Sequence, residues 1–192
     1  MPERNDAALN FLLTRRSRPA KTLTTPVPDR DALAPLLEAA MRSPDHGKLE
    51  PWRFIVLEQG AMPRLANLAE ERAKALGLDE TQTQKGRNQF DTGNLAVVVV
   101  ESPVDSPKVP AVEQTYSTGA VCLALLNAAL AAGWGANWLS GWPSHDRAFV
   151  ETGFGLENHE RVAGIIHIGT EKMAPPERPR PIAEEKVTWQ SE

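Results

Sequence analysis

Apolar positions along the chain follow two rhythms, one helical and one extended, broken by runs of proline, glycine and threonine. Ala8, Leu9, Leu12 and Leu13 recur at three- and four-residue intervals, which predicts a short amphipathic helix from Asn5 to Thr14. Arg15-Arg16-Ser17-Arg18-Pro19 ends it, because a residue before proline is driven out of helical geometry. After a Thr- and Pro-rich loop to Pro28, Asp29 is placed to cap a second helix through about Arg42, with Leu33, Leu36, Leu37 and Ala40 apolar. Ser43-Pro44-Asp45-His46-Gly47 breaks that helix. Trp52 to Glu58 reads as a strand and Ala61 to Leu76 as a charged amphipathic helix. Residues 77–93 are polar with weak periodicity, and a short helix is expected near 81–90.

Leu95-Ala96-Val97-Val98-Val99-Val100 lies in a continuous β-branched run from Asn94 to Glu101, the signature of an interior strand. Thr115 to Ala132 is an Ala/Leu-rich helix without a polar face, which predicts burial on all sides, and Gly133 stops it. Gly135 to Leu139 reads as a strand, Ser144 to Thr152 as a short helix, and Arg161 to Ile168 as a further strand. From Glu171 to Glu192 the prolines 175, 176, 179 and 181 predict an extended arm. Helices and strands mix without tidy βαβ units, so an α+β or irregular three-layer α/β fold is expected. No internal repeat or low-complexity linker divides the chain, which reads as one domain over residues 1–170 and an arm over 171–192.

Composition narrows the function classes. With 192 residues, 41% hydrophobic and 24% charged, one domain can bury roughly 70% of its unfolded surface. A net charge of −4 gives no electrostatic reason to bind nucleic acid or anionic lipid. The single Cys122 excludes an internal disulfide framework and fits a reducing cytoplasm, and the first residues carry no apolar signal-peptide core. Thr115 to Ser144 has no charged side chain and is long enough to span a bilayer. Its apolar runs are short and lack flanking Lys/Arg clusters, which favours a buried helix. The 16 prolines exceed the roughly ten that average usage would give.

The common catalytic motifs are missing. His46, His145, His159 and His167 form no i,i+4 pair and have no cysteine at metal-ligand spacing. Ser140 lies outside any G-x-S-x-G, and Gly133-Trp134-Gly135-Ala136-Asn137-Trp138 has Trp where a dinucleotide fingerprint needs its third glycine. Three segments remain. Arg15-Arg16-Ser17-Arg18 could grip a phosphate, or simply complement a helix dipole. Arg42 to Trp52 joins a helix end, a rigid turn and several hydrogen-bonding side chains, and could equally be an ordinary helix-to-strand loop. Gly133 to Gly141 permits close backbone approach beside Trp138, which by itself reads as core.

In their order, R-R-S after a first helix, then S-P-x-x-x-x-x-x-P-W, then an Ala-rich helix ending G-x-G-x-x-W, the segments resemble the nitroreductase family of FMN-dependent oxidoreductases. Gly164-Ile165-Ile166-His167-Ile168-Gly169 and the arm with Arg178-Pro179-Arg180-Pro181 are similar to that family's last strand and tail. The resemblance covers nearly the whole chain. It implies a three-layer α/β/α fold with a central mixed, mainly antiparallel sheet and an extended C-terminal arm. It implies a homodimer with FMN at the subunit interface, and no membrane or nucleic-acid partner. Arg15, Arg16 and Ser17 match the segment that holds the FMN phosphate, ribityl chain and pyrimidine edge. Arg42, Pro44 and His46 match a loop that reaches the partner's flavin. Trp138, Leu139, Ser140 and Gly141 match the stretch lining the isoalloxazine ring, and Arg180 matches a tail residue completing the phosphate site, a role Arg178 could also fill. Lys48 and Glu50 stand near places where the family usually has Asn and Gln, and Thr170-Glu171 replaces a common Tyr-Pro.

The activity so implied is NAD(P)H oxidation by ping-pong hydride transfer through flavin N5 to a nitroaromatic or quinone-like acceptor, with no metal and no protein acid–base pair. A flavin-storing or flavin-sensing protein of the same fold is the alternative, and flavin-dependent dehalogenation or dehydrogenation is a third.

Overall fold

The computed structural model describes residues 3–191. Along the chain come α1 (Asp6–Thr14), β1 (Leu23–Thr24), α2 (Arg30–Ala40), β2 (Trp52–Glu58), α3 (Met62–Ala75), α4 (Glu80–Asp91), β3 (Leu95–Glu101), α5 (Ala111–Ala131), β4 (Gly135–Leu139), α6 (Arg147–Phe154) and β5 (Arg161–Glu171). Side-chain caps set several boundaries: Asn5, Asp29, Asp79 and Asp146 each accept a backbone N–H three residues on, satisfying a donor that the first helical turn cannot.

β5 organises the sheet. It pairs with β3 along one stretch, with β4 at Ile165–Gly169, and with β1 at Thr170 and Glu171, while β2 pairs with β3 as an edge strand. The three-layer α+β expectation holds, and every strand pairing among the described residues is antiparallel. A one-residue slip opposite Val99 and Val100 leaves Ala163 unpaired on β5.

The all-apolar β3 is explained by cover on both faces. Ala96, Val98 and Val100 join Leu65, Phe90, Phe149 and Phe154 in one core, beneath α3, α4 and α6. Leu95, Val97 and Val99 join Leu36, Val121, Leu125 and Ile166 in the other, beneath α2 and α5. Strand periodicity of two divides consecutive residues between the two cores.

Four expectations change. The helix expected to start at Thr115 begins at Ala111, following Pro110, whose fixed φ suits a helix entry. The same helix is not buried on all sides within the chain: Val112, Tyr116 and Leu123 form an exposed stripe, with Tyr116 at 69% and Leu123 at 45% exposure. Residues 144–152 divide into a one-turn 3-10 helix at Trp142–Ser144 and α6, because Asp146 rather than Ser144 caps the helix. β1 lies where a plain loop was expected; two residues carry no periodic signal, and pairing to the end of β5 alone makes them a strand. After Glu171 the chain is mostly exposed and irregular, with one 3-10 turn at Ala183–Glu185. No helix among the described residues is long and apolar enough to cross a membrane.

Candidate functional site

Arg15 ends α1, its N–H donating to the Phe11 carbonyl at 2.8 Å. The following residues run beside β4, where the Arg18 N–H donates to Ala136 O at 2.8 Å. Arg18 is neutralised by Glu171, Nε to Oε2 at 2.5 Å, and also donates to the Arg16 carbonyl. Arg15 donates to Ser17 Oγ at 3.0 Å, but its Nε is buried without a partner. Burial first, then the charges of Arg16 and Arg18, pull the Arg15 pKa below its ordinary value. The tail closes over this segment: Arg16 donates to the Pro176 carbonyl, and Arg180 donates to Leu13 O at 2.5 Å. Arg15, Arg16, Ser17, Arg178 and Arg180 thereby share one cleft of about 760 Å³. Its excess of guanidinium over carboxylate, with an orphaned N–H donor, suits a phosphate.

A second cleft has a volume of about 560 Å³. Pro19, Ala20 and Lys21 form one wall, Lys85, Asn88, Gln89 and Thr92 of α4 another, and Asn137 and Leu139 of β4 a third. α4 is held here by two close fits to glycine. The Trp142 indole lies against Gly86, where a Cβ would come within 2.5 Å of the ring, and its Nε1 donates to Gln82 O at 2.9 Å. The Gln89 amide lies against Gly141, where a Cβ would be 2.1 Å from Nε2. Gln89 Oε1 is buried without a partner. On β5, directly opposite Asn137, stands His167, 3% exposed, its Nε2 also unpartnered. Burial pushes the imidazole down to about 4, so it is neutral at pH 7.

The β4 register separates two of the expected ring-lining residues. Trp138 pairs with Ile166 and so faces the α2/α5 side, its indole over Gly164, whereas Leu139 pairs with Ile165 on the α4 side. Ser140 Oγ meets His145 Nε2 at 3.1 Å. Arg42, Pro44 and His46 line neither cleft within one chain. His46 Nδ1 instead meets Glu113 Oε2 at 2.5 Å at the start of α5, and the loop beyond it carries positive φ at Gly47, Lys48 and Glu50. Two non-glycine residues in that left-handed conformation are locally strained. Cys122 is buried in α5, its thiol pushed up to about 12, which rules it out as a nucleophile.

The nitroreductase family model matches residues 12–170. The chain belongs to the nitroreductase family. YdjA of Escherichia coli (strain K12), provisionally named an NAD(P)H nitroreductase, is 34% identical over 166 residues, 86% of this chain and 89% of its own. A Haemophilus influenzae protein given the same provisional name is 37% identical over 164 residues, 85% of this chain and 88% of its own. The crystal structure of a nitroreductase-like family protein from Bacillus cereus superposes with a TM-score of 0.80 at 26% identity, covering 100% of both chains. A Desulfovibrio desulfuricans protein crystallised in complex with FMN shares the fold, with a TM-score of 0.75 at 18% identity over 97% of this chain and 99% of its own.

Within this nitroreductase-family chain, tertiary structure brings Lys21, Lys85, Asn88 and Gln89, none of them in a sequence motif, to the second cleft, and sets His167 of the Gly164–Gly169 segment opposite Asn137. One signal existed for α4. Lys85, Asn88, Gln89 and Thr92 fall at i, i+3, i+4 and i+7, a polar stripe at helical spacing that can line a wall as well as face water.

Proposed function

We propose that the protein is an FMN-dependent NAD(P)H oxidoreductase that reduces nitroaromatic or quinone-like acceptors. The observation that carries this is the buried, unpartnered Nε of Arg15 in a cleft shared with Ser17, Arg178 and Arg180. FMN in the D. desulfuricans protein and the NAD(P)H names of the E. coli and H. influenzae relatives support it.

When bound, FMN supplies the redox chemistry, accepting electrons from the nicotinamide and passing them to the acceptor. Arg15, Arg16, Ser17 and Arg180 hold the phosphate and the chain that follows it, with Arg178 beside them. Leu139 and Asn137 form the β4 wall for the ring, α4 closes the opposite side, and Trp138 lies on the other face of the sheet. Lys21 and Lys85, which make no salt bridge among the described residues, keep the second cleft positive and favour added electron density there.

The working unit in this proposal is a cytoplasmic homodimer with FMN at its interface. The exposed stripe of α5 and the apolar residues of α1, which has no buried residue within the chain, need cover. A second copy supplies it, and Arg42, Pro44 and His46 reach the partner's flavin. Residues 1–170 form the FMN-binding domain, and residues 171–192 are the arm.

The test is the absorbance of the purified protein before and after anaerobic NADPH or NADH. A yellow protein bleached by the nicotinamide and recoloured by a nitroaromatic is expected. A protein that stays colourless with added FMN overturns the proposal, and one that holds FMN stoichiometrically but is not reduced is a storage or sensing protein instead.

A further inference from the structure

Three polar side chains near the start of α5 fasten the loop from Ser43 to Trp52. Thr118 donates to the Pro51 carbonyl at 3.2 Å, Ser117 accepts from Trp52 Nε1 at 3.4 Å, and Glu113 Oε2 meets His46 Nδ1 at 2.5 Å. Gln114 secures the flank. Its amide accepts from the Val104 N–H and donates to Val104 O, both at 2.8 Å, and Val109 of that same segment lies against Gly47. The Thr118 and Ser117 contacts are buried or half-buried and fix the backbone and an indole. The Glu113 contact differs: the His46 and Glu113 side chains are 61% and 41% exposed, where an ion pair adds little to stability. What it fixes is the imidazole. An ionised carboxylate only accepts, so Nδ1 carries a proton whatever the charge of the ring. A free neutral imidazole favours its proton on Nε2; beside Glu113 the neutral ring takes the other tautomer, with Nε2 bare.

We infer that Glu113 positions His46 for the flavin, holding the tautomer that offers Nε2 as a hydrogen-bond acceptor to a hydroxyl or N–H of the cofactor across the dimer interface. This rests on the FMN and dimer assignments above. Glu113 is a positioning residue: it acts through His46 alone.

Nitrogen-15 NMR of the histidines in the apoprotein at about pH 8.5, where an ordinary imidazole is neutral, tests the tautomer without flavin or turnover. The His46 signals are assigned by their loss in His46→Ala. Wild type should show a protonated Nδ1 and a bare Nε2, and Glu113→Ala should revert to a protonated Nε2. Titration of the same proteins with FMN, followed by flavin fluorescence, tests the consequence. His46→Ala and Glu113→Ala should each weaken FMN about fivefold, and the double variant no further, because the two side chains act as one unit. Glu113→Gln, whose amide oxygen still accepts from Nδ1–H, should keep wild-type affinity. A protonated Nε2 in wild type, or an unmoved tautomer in Glu113→Ala, overturns the inference. So do additive losses in the double variant, or single variants that bind FMN as wild type does. A wild-type protein that binds no FMN overturns the FMN assignment and this inference with it, and the tautomer comparison, read without flavin, tells that failure from a failure of Glu113 to hold His46.

Discussion

α4 and α5 are opposites in sequence, and the structure treats each in the opposite way from its hydropathy. α4 reads Glu-Thr-Gln-Thr-Gln-Lys-Gly-Arg-Asn-Gln-Phe-Asp, yet it is pinned to the molecule and walls a cleft. α5 is almost wholly apolar beyond its first turns, yet it leaves a stripe through Val112, Tyr116 and Leu123 open to solvent. Burial is set by what lies opposite a residue. Phe90, stacked on Phe149 at 5.5 Å and tilted against Phe154, docks α4 together with one glycine that admits Trp142 and with Arg87, which donates to Glu70 and Asn67 of α3. α5 has more apolar surface than α2 and the sheet can cover.

The largest way to break this contrast is Phe90→Ala, which removes α4's one large anchor from a fully buried position. A loss of about 3–5 kcal/mol in urea unfolding is expected. Destabilisation of less than about 1 kcal/mol would mean that α4 is held by something else.

Acidification comes next, and it acts on the α4 side of the sheet. His167 is held at about 4 when folded and returns to about 6.5 when unfolded, so the unfolded state binds the extra proton. Its share of stability is complete above pH 6.5 and is lost as pH falls from 6.5 to 4, by about 3 kcal/mol. Unfolding free energies of wild type and His167→Gln between pH 7 and 4.5 should converge, and parallel curves would contradict the burial argument. Glu160 behaves differently. Its hydrogen bond to Arg53 holds it at about 2, so its contribution is lost only below about pH 4.5, as the carboxylate protonates.

Gly86→Ala is a smaller test. Overpacking against the Trp142 ring costs about 1–3 kcal/mol, and the better helix propensity of alanine returns about 1. The net loss should be near 1 kcal/mol, with a shift in tryptophan emission as the indole leaves Gln82. The smallest effect on folding belongs to Leu123→Glu on the exposed stripe, under about 0.5 kcal/mol for a single chain. Its effect on assembly should be large: half the mass in size exclusion, and weaker FMN binding. Unchanged mass and affinity would show that α5 is not the dimer face.

The sequence carried the backbone plan well where the signal was local. β2 and β4 fall at the expected residues, Asp29 caps α2, and α3 lies within one residue of its expected ends. The arginine segment was also legible, because charge and a helix-ending proline lie together in the chain, and the tail arginines meet it in one cleft. The α4 wall was not legible as part of a cleft. Lys85 and Gln89 acquire meaning only beside Pro19 and Leu139, far away in sequence. The division of Trp138 from Leu139 likewise required the β4–β5 register, since a shift of one residue would exchange their faces.

By itself, the sequence determined which segments are helix or strand, that β3 is covered on both faces, and that a cationic segment follows the first helix. Those properties follow from periodicity, composition and capping, which act over a few residues. Tertiary structure alone decided that α5 keeps an exposed stripe, that β1 is a strand, and that Gln89 and His167 hold buried atoms without partners. These depend on contacts between distant parts of the chain, where a polar helix can form a wall and an apolar one can be left half uncovered.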